Sequence, residues 1–260
     1  MINLAILTAK GGNQTLADKN LAGICGRPSI YWPLSAALQA KSIDRVFVTT
    51  ECSRIKEIAR DCGAEIIDRP AALARPDSNH GDVILHAAKA ALEGIEQAPA
   101  TVTILLGNTA MTVAEDIDQA VAKTLSDPAI DSCMTVWKAQ DDHPLRAMVV
   151  NPRGYLESYL GGETPDTNRQ SYREVFFYDQ GPWTVRTESL LRSETTREGP
   201  GPWWWMGRNC VPLQRLWVTG RDTHSPYDVE IAEWWLRRYR LAGRRNPARI
   251  EDYSLTSNRE

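Results

Sequence analysis

Short apolar runs and amphipathic stretches alternate through the first half of the chain. Residues 3–8, 45–50, 64–67, 101–106 and 132–137 are rich in aliphatic and β-branched side chains and read as strands. Between them, residues 30–40, 52–62, 82–94 and 115–126 carry apolar positions at helical spacing. Ser53 is the expected cap of the second of these helices, and Gly63 its expected stop. Strand–helix alternation predicts an α/β fold with three layers and a doubly wound, mostly parallel sheet. Ligands of such sheets sit at the carboxyl ends of the strands, so the loop after residue 8 is the first place to look for a site.

The second half changes character. Residues 145–150 and 155–159, joined by Asn151-Pro152-Arg153-Gly154, read as a β-hairpin. Residues 174–178 and 183–186 read as separate extended segments around Gly181-Pro182. A Gly-Pro-Gly-Pro loop at 199–202 leads into Trp203-Trp204-Trp205, and residues 227–239 form a helix with Ile231, Trp234, Trp235 and Leu236 on or near its apolar face. From residue 243 onward the chain is polar and basic and reads as a tail. With no repeat and no Gly/Ser linker, the expectation is one domain over residues 1–242. Residues 140–172 are its hairpin extension.

Composition narrows the function classes. A net charge of -3 over 260 residues gives no reason to expect nucleic acid or a membrane surface as partner. No apolar run approaches the roughly 20 residues of a membrane span, and Met1-Ile2-Asn3-Leu4 does not open like a secretory signal. The cysteines at 25, 52, 62, 133 and 210 show no paired metal spacing and read as reduced thiols of a cytoplasmic protein.

The loop after the first strand carries the candidate chemistry. Gly11 and Gly12 free backbone N–H groups to approach phosphate oxygens, and Lys10 and Lys19 add positive charge at either end of the loop. The loop is neither a Walker A motif nor a dinucleotide fingerprint, because the required glycine spacings are absent.

The run Ala9-Lys10-Gly11-Gly12-Asn13-Gln14-Thr15-Leu16-Ala17-Asp18-Lys19-Asn20 resembles the Ala-Arg-Gly-Gly-Ser-Lys-Arg-Ile-Pro-Arg-Lys-Asn signature of CMP-sialic acid synthetases and related sugar-acid cytidylyltransferases. Further segments match in order. They include Gly26-Arg27-Pro28, the strand from Asp44 to Thr50, Gly63-Ala64-Glu65, Arg69-Pro70, His143-Pro144-Leu145-Arg146, Arg169-Gln170 and Asp222-Thr223. The resemblance spans about residues 2 to 238. It implies a nucleotide-diphospho-sugar transferase-like fold, CTP as donor, an acidic acceptor, magnesium as cofactor and a homodimer built through the hairpin. Transferred residue by residue, it gives Ala9, Lys10, Gly11, Gly12, Asn13, Lys19, Asn20 and Arg69 to the CTP site. Lys10, Lys19 and Asp222 become catalytic, with Asp222 as the metal ligand. Asn108, Arg146, Arg169, Gln170 and Gln180 fall to the acceptor side, and the dimer would bring Arg146 or Arg169 near the partner's site.

The departures from the pattern are concentrated. Asn13-Gln14-Thr15 replaces a charged triplet, Gly107 to Val113 replaces the family's Gln-Pro-Thr-Ser-Pro-Leu-Arg, and Gly220 stands where the first metal aspartate belongs. Nucleotide-side residues persist while acceptor-side residues change. The acceptor is therefore a sugar acid or another small acid. A phosphonate is the alternative acceptor, and a non-catalytic nucleotide-binding relative the alternative from another class. Asp222 also reads as a turn or cap residue and Asp228 as a helix-start acid. His80 is left open, His86 and His143 read as packed, His224 as a surface histidine, and the tryptophans as core, dimer contact or cover of an acceptor pocket.

Overall fold

The computed structural model describes residues 2–12, 18–161 and 166–244. Among these residues, eleven strands and six α-helices follow one another as β1 (Asn3–Thr8), β2 (Gly23–Ile24), β3 (Arg27–Pro28), α1 (Tyr31–Gln39), β4 (Arg45–Thr50), α2 (Ser53–Asp61), β5 (Glu65–Asp68), α3 (His80–Leu92), β6 (Thr101–Leu106), α4 (Ala114–Leu125), β7 (Ser132–Lys138), β8 (Met148–Val150), β9 (Leu156–Ser158), β10 (Phe176–Arg186), α5 (Thr187–Thr196), β11 (Cys210–Gln214) and α6 (Pro226–Arg238).

Seven strands form one sheet in the order β11-β7-β10-β6-β1-β4-β5. All run parallel except β10, which pairs antiparallel with both β6 and β7. Alternation along the strands builds two apolar layers. Leu4 and Ile6 join Phe47, Ile67, Val102 and Ile104 beneath α3 and α5. Ala5 and Leu7 face the other way, with Val46, Val48 and Leu105, beneath α1, α2 and α4. A third cluster seats Trp235, Leu236 and Tyr239 against Trp32 and Met111. This is the three-layer, doubly wound arrangement expected from the pattern.

Chain order sets the site. From β1 the chain moves outward through β4 and β5, then returns to add β6 on the other side of β1. The loops leaving β1 and β6 lead to α1 and α4, which pack on the same face of the sheet, and they run side by side at the carboxyl ends of the two central strands.

Several local expectations change. Cys52, not Ser53, is the N-cap of α2 and makes no side-chain cap bond, while Gly63 ends the turn at φ +91. Helix α3 begins earlier than its apolar period suggests, because the Asn79 side chain accepts from Gly81 N and caps it. The two extended segments around Gly181-Pro182 are one strand, β10, with a register shift between Tyr178 and Trp183. The sequence pattern missed α5 and the edge strand β11. Asp228 reads correctly as a helix-start acid, since it completes a capping box with Ser225.

The hairpin is present as β8 and β9, shorter than its apolar run. Both strands are exposed along their whole length, and Met148, Val150, Tyr155, Leu156 and Tyr159 are each more than 60% exposed. Of the roles expected for the tryptophan segment, its first residues take that of core. Trp204, Trp205 and Met206 are buried in the α3–α5 layer, with Trp205 against Trp183. The basic tail lies, from residue 245 on, outside the described residues.

Candidate active site

A cleft of about 340 Å³ opens at the carboxyl edge of β1 and β6. Thr8, Ala9 and Lys10 enter from the end of β1, Lys19 and Asn20 from the returning loop, and Arg69 from the end of β5. Leu106 and Asn108 come from β6, Ser78, His80 and Val83 from the start of α3, and Asp222 from the turn before α6. Edge bonds hold these loops to the sheet: Ala9 N donates to Thr49 O, Gly107 N to Thr8 O and Arg69 N to Thr50 O.

Asn20 is buried and its Nδ2 donates to Lys10 O at 2.7 Å, which ties the two ends of the glycine loop together. Gly107 allows that approach, since a Cβ there would lie 2.8 Å from Asn20 Oδ1. The amides of Gly11 and Gly12 face carboxylates, Glu51 Oε1 at 2.8 Å and Asp18 Oδ1 at 3.2 Å. These two donors thus already hold anionic oxygens.

Lys19 Nζ stands 3.9 Å from Asp222 Oδ2. Burial pulls the Lys19 ammonium below the ordinary lysine range, and Asp222 opposes that shift. Asp222 Oδ2 also accepts from Asn108 Nδ2 at 2.9 Å and lies 2.7 Å from His224 Nε2. Asn108, expected on the acceptor side, therefore holds the candidate metal carboxylate. Arg69 donates from Nη2 to Thr49 O at 2.7 Å, and its Nε is sealed from solvent with no partner among the described residues. Burial lowers its pKa, with Glu51 opposing.

The carboxylate missing at Gly220 has a physical counterpart. A Cβ on Gly220 would lie 2.3 Å from Asp179 Cβ, so the Asp179 side chain fills that space. Asp179 is fully buried and paired with Arg215, which also binds Asp116 at 3.0 Å, so it is no ligand. Among the described residues, no cluster of three or more His, Cys, Asp or Glu side chains is placed to hold a metal.

The other expected positions lie apart from the cleft walls. Arg146 is exposed beside Asp141, and Gln170 is exposed in the short turn Arg169–Ser171. Gln180 lies in β10, its N donating to Gly220 O at 3.2 Å. Asn13 lies outside the described residues. His143 is structural, as expected, bonded to Arg173 O and Leu145 N. Thr8, Ser78, Arg75 and His80 line the cleft although no motif singled them out. The capping sequence Asn79-His80-Gly81 was the available signal for the last of them.

A family model described as Cytidylyltransferase matches residues 4–151, which include β1, β4 to β7 and most of the cleft. The chain belongs to the cytidylyltransferase family. It is 32% identical over 84 residues to N-acylneuraminate cytidylyltransferase of Escherichia coli O18:K1:H7, covering 32% of this chain and 20% of that protein. It is 34% identical over 83 residues to 3-deoxy-manno-octulosonate cytidylyltransferase of Synechococcus elongatus, covering 32% of this chain and 34% of that protein. The aligned stretches thus span about a fifth and a third of those relatives' lengths. Among solved structures, CMP:2-keto-3-deoxy-manno-octonic acid synthetase complexed with CTP aligns with a TM-score of 0.68 at 17% identity, over 92% of this chain and 99% of that one. A 4-diphosphocytidyl-2C-methyl-D-erythritol synthase from Anaerococcus prevotii aligns with a TM-score of 0.61 at 13% identity, over 91% and 96%. At these identities the likeness is one of fold. Among the described residues of this chain, no helix is long and apolar enough to cross a membrane.

Proposed function

We propose that this chain transfers CMP from CTP to an oxygen of a small acidic acceptor and releases pyrophosphate. The observation that carries this reading is the convergence of Lys10, Lys19, Asn20 and Arg69 with Asp222 in one cleft at the carboxyl ends of β1 and β6. The relatives named for N-acylneuraminate and 3-deoxy-manno-octulosonate support a sugar acid as acceptor.

In this reading the triphosphate takes the Gly11 and Gly12 amides from Glu51 and Asp18. Lys10 and Lys19 neutralise its charge, and Asn20 and Arg69 hold the nucleoside. An acceptor oxygen forms its bond to the α-phosphorus as the bond to the bridging oxygen breaks, and that electron pair leaves with pyrophosphate. The protein contributes position and charge, which is what phosphoryl transfer demands.

The donor set fits magnesium, which commonly takes one or two carboxylates and completes its shell with phosphate oxygens and water. Asp222 Oδ2 is engaged, while Oδ1 has no partner among the described residues. Asp222 would hold the ion, which when bound supplies charge neutralisation on the phosphates. The bare hairpin supports a homodimer, because an isolated two-stranded sheet is at best marginally stable in water. Arg146, Arg169 and Gln170 would then serve the partner's acceptor site.

Pyrophosphate release with CTP and magnesium across a panel of sugar acids and phosphonates tests the reading. Turnover of a sugar acid supports it, and turnover of a phosphonate alone moves the acceptor class. CTP binding without turnover of any acceptor favours the non-catalytic reading, for which Gly220 and the filling of its space by Asp179 argue. Absence of CTP binding defeats all three.

A further inference from the structure

His80 has no role in the reading above, yet it is built into the cleft wall. It opens α3, and the first turn of that helix is clamped from behind. A Cβ on Gly81 would lie 2.5 Å from the Trp204 ring, so only glycine lets the turn press against it. Trp204 Nε1 also donates to the capping residue, Asn79 Oδ1, at 3.4 Å. The buried tryptophan segment thus positions His80.

The ring itself is oriented by β1. His80 Nε2 lies 3.0 Å from Thr8 Oγ1, and the Thr8 hydroxyl has Leu105 O at 3.5 Å as an acceptor. One assignment satisfies both contacts: Nε2–H donates to Thr8, and Thr8 donates to Leu105. Nδ1 then carries a lone pair. It has no partner among the described residues and is not sealed from solvent, and the ring that carries it lines the cleft. Burial and the nearby Arg69 hold the imidazole pKa down to about 4, so this lone pair is present at neutral pH.

The surroundings are those of a base rather than of phosphates. Leu73, Pro76 and Val83 supply apolar wall, and Arg69 supplies an N–H donor through its Nη1. Nη1 stands 3.8 Å from Glu51 Oε2 and makes no hydrogen bond among the described residues, whereas Nε is sealed away from the cleft. The wall therefore offers a donor and an acceptor. A cytosine edge matches that pair, with a 4-amino donor and O2 and N3 acceptors. Uracil presents a carbonyl oxygen at position 4, which would face the His80 lone pair.

We propose that His80 accepts a hydrogen bond from the 4-amino group of cytosine and makes this cleft discriminate CTP from UTP, with Thr8 as the positioning residue that fixes its tautomer. The proposal rests on the cytidylyltransferase reading and adds the group that selects the base.

Isothermal titration of CTP and UTP, each with magnesium, into the full chain and into His80→Phe, His80→Gln and Thr8→Val tests it. The quantity read is the CTP/UTP affinity ratio within each protein, which a general loss of stability does not mimic. The ratio should fall roughly 10- to 100-fold in His80→Phe, the range expected when one buried polar group loses its partner. Thr8→Val should lower it as well, because the ring is then free to present N–H. His80→Gln, which keeps an acceptor, should retain part of it. An unchanged ratio in both His80→Phe and Thr8→Val overturns the proposal while CTP binding keeps the cytidylyltransferase reading intact. Failure of the unmodified chain to bind either nucleotide overturns both.

Discussion

Replacing Gly220 by alanine tests the claim that Asp179 occupies the space of the missing carboxylate. The added Cβ would sit 2.3 Å from Asp179 Cβ and 2.8 Å from its Oδ2. Asp179 has nowhere to retreat. Its Oδ1 accepts from Thr135 Oγ1 and from Gly181 N at 3.0 Å, and its Oδ2 from Arg215 Nη1 at 3.4 Å. The strand cannot slide away either, since Gln180 N donates to Gly220 O. Overpacking of a closed interior costs about 1–3 kcal/mol. Loss of one partner from a buried ion pair costs about 3–5 kcal/mol. With partial relaxation the expected loss is roughly 2–4 kcal/mol, or a fall in Tm of roughly 5–15 °C for a domain of this size. Urea unfolding and thermal melts of Gly220→Ala measure it. In the double variant Asp179→Gly/Gly220→Ala the two losses should sum to less than additive, because the first change removes the Cβ that the second would meet at 2.3 Å. Gly220→Asp should bring no gain in magnesium affinity, since its carboxylate would meet Asp179 before any ion. A Gly220→Ala variant within 0.5 kcal/mol of the parent would show that Asp179 does not hold that space.

Three other outcomes follow from the same geometry. Lys19→Ala and Asp222→Ala should each lower kcat at least 10²-fold, the scale of one lost charge-stabilising group. Their melting temperatures should stay near the parent's. Two active variants would remove both residues from the site. Asp228 is opposed by burial, but hydrogen bonds from Arg221, Ser225 and the His224 backbone outweigh it and hold its pKa below the ordinary 3.8. Its stabilisation is therefore fully present above pH 4 and is lost as pH falls through the lower folded value. Asp228→Asn should lose about 1.5–3 kcal/mol at pH 7 in urea unfolding, and the gap should narrow as pH falls below 3.8. A gap that persists unchanged there would contradict the ionic origin. Leu156→Asp places a charge on the 70%-exposed face of the hairpin and should convert a dimer to a monomer in sedimentation. An unmodified chain that already sediments as a monomer contradicts the dimer.

Much of the fold was legible because buried parallel strands and amphipathic helices carry their own periodicity. The runs at Asn3–Thr8, Arg45–Thr50 and Thr101–Leu106 lie where their composition puts them. Arg69 and Lys19 were legible as candidates because local motifs carry them, and the fold brings both to one cleft. What failed to show were α5, whose sparse apolar residues give a weak helical period, and β11, an edge strand containing Pro212. The continuity of β10 through Gly181-Pro182 was also hidden, since a bulge breaks its alternation.

The amino-acid sequence by itself determined the strand–helix alternation, the glycine loop after β1 and a glycine at position 220, because each depends on residues close together in the chain. The tertiary structure alone decided three things. Asn108 rather than a distant acceptor contacts Asp222, Asp179 rather than solvent fills the space beside Gly220, and Trp204 and Thr8 aim His80 into the cleft. Each of these joins residues far apart in the chain, and no local pattern encodes a contact that only the packing of strands and helices creates.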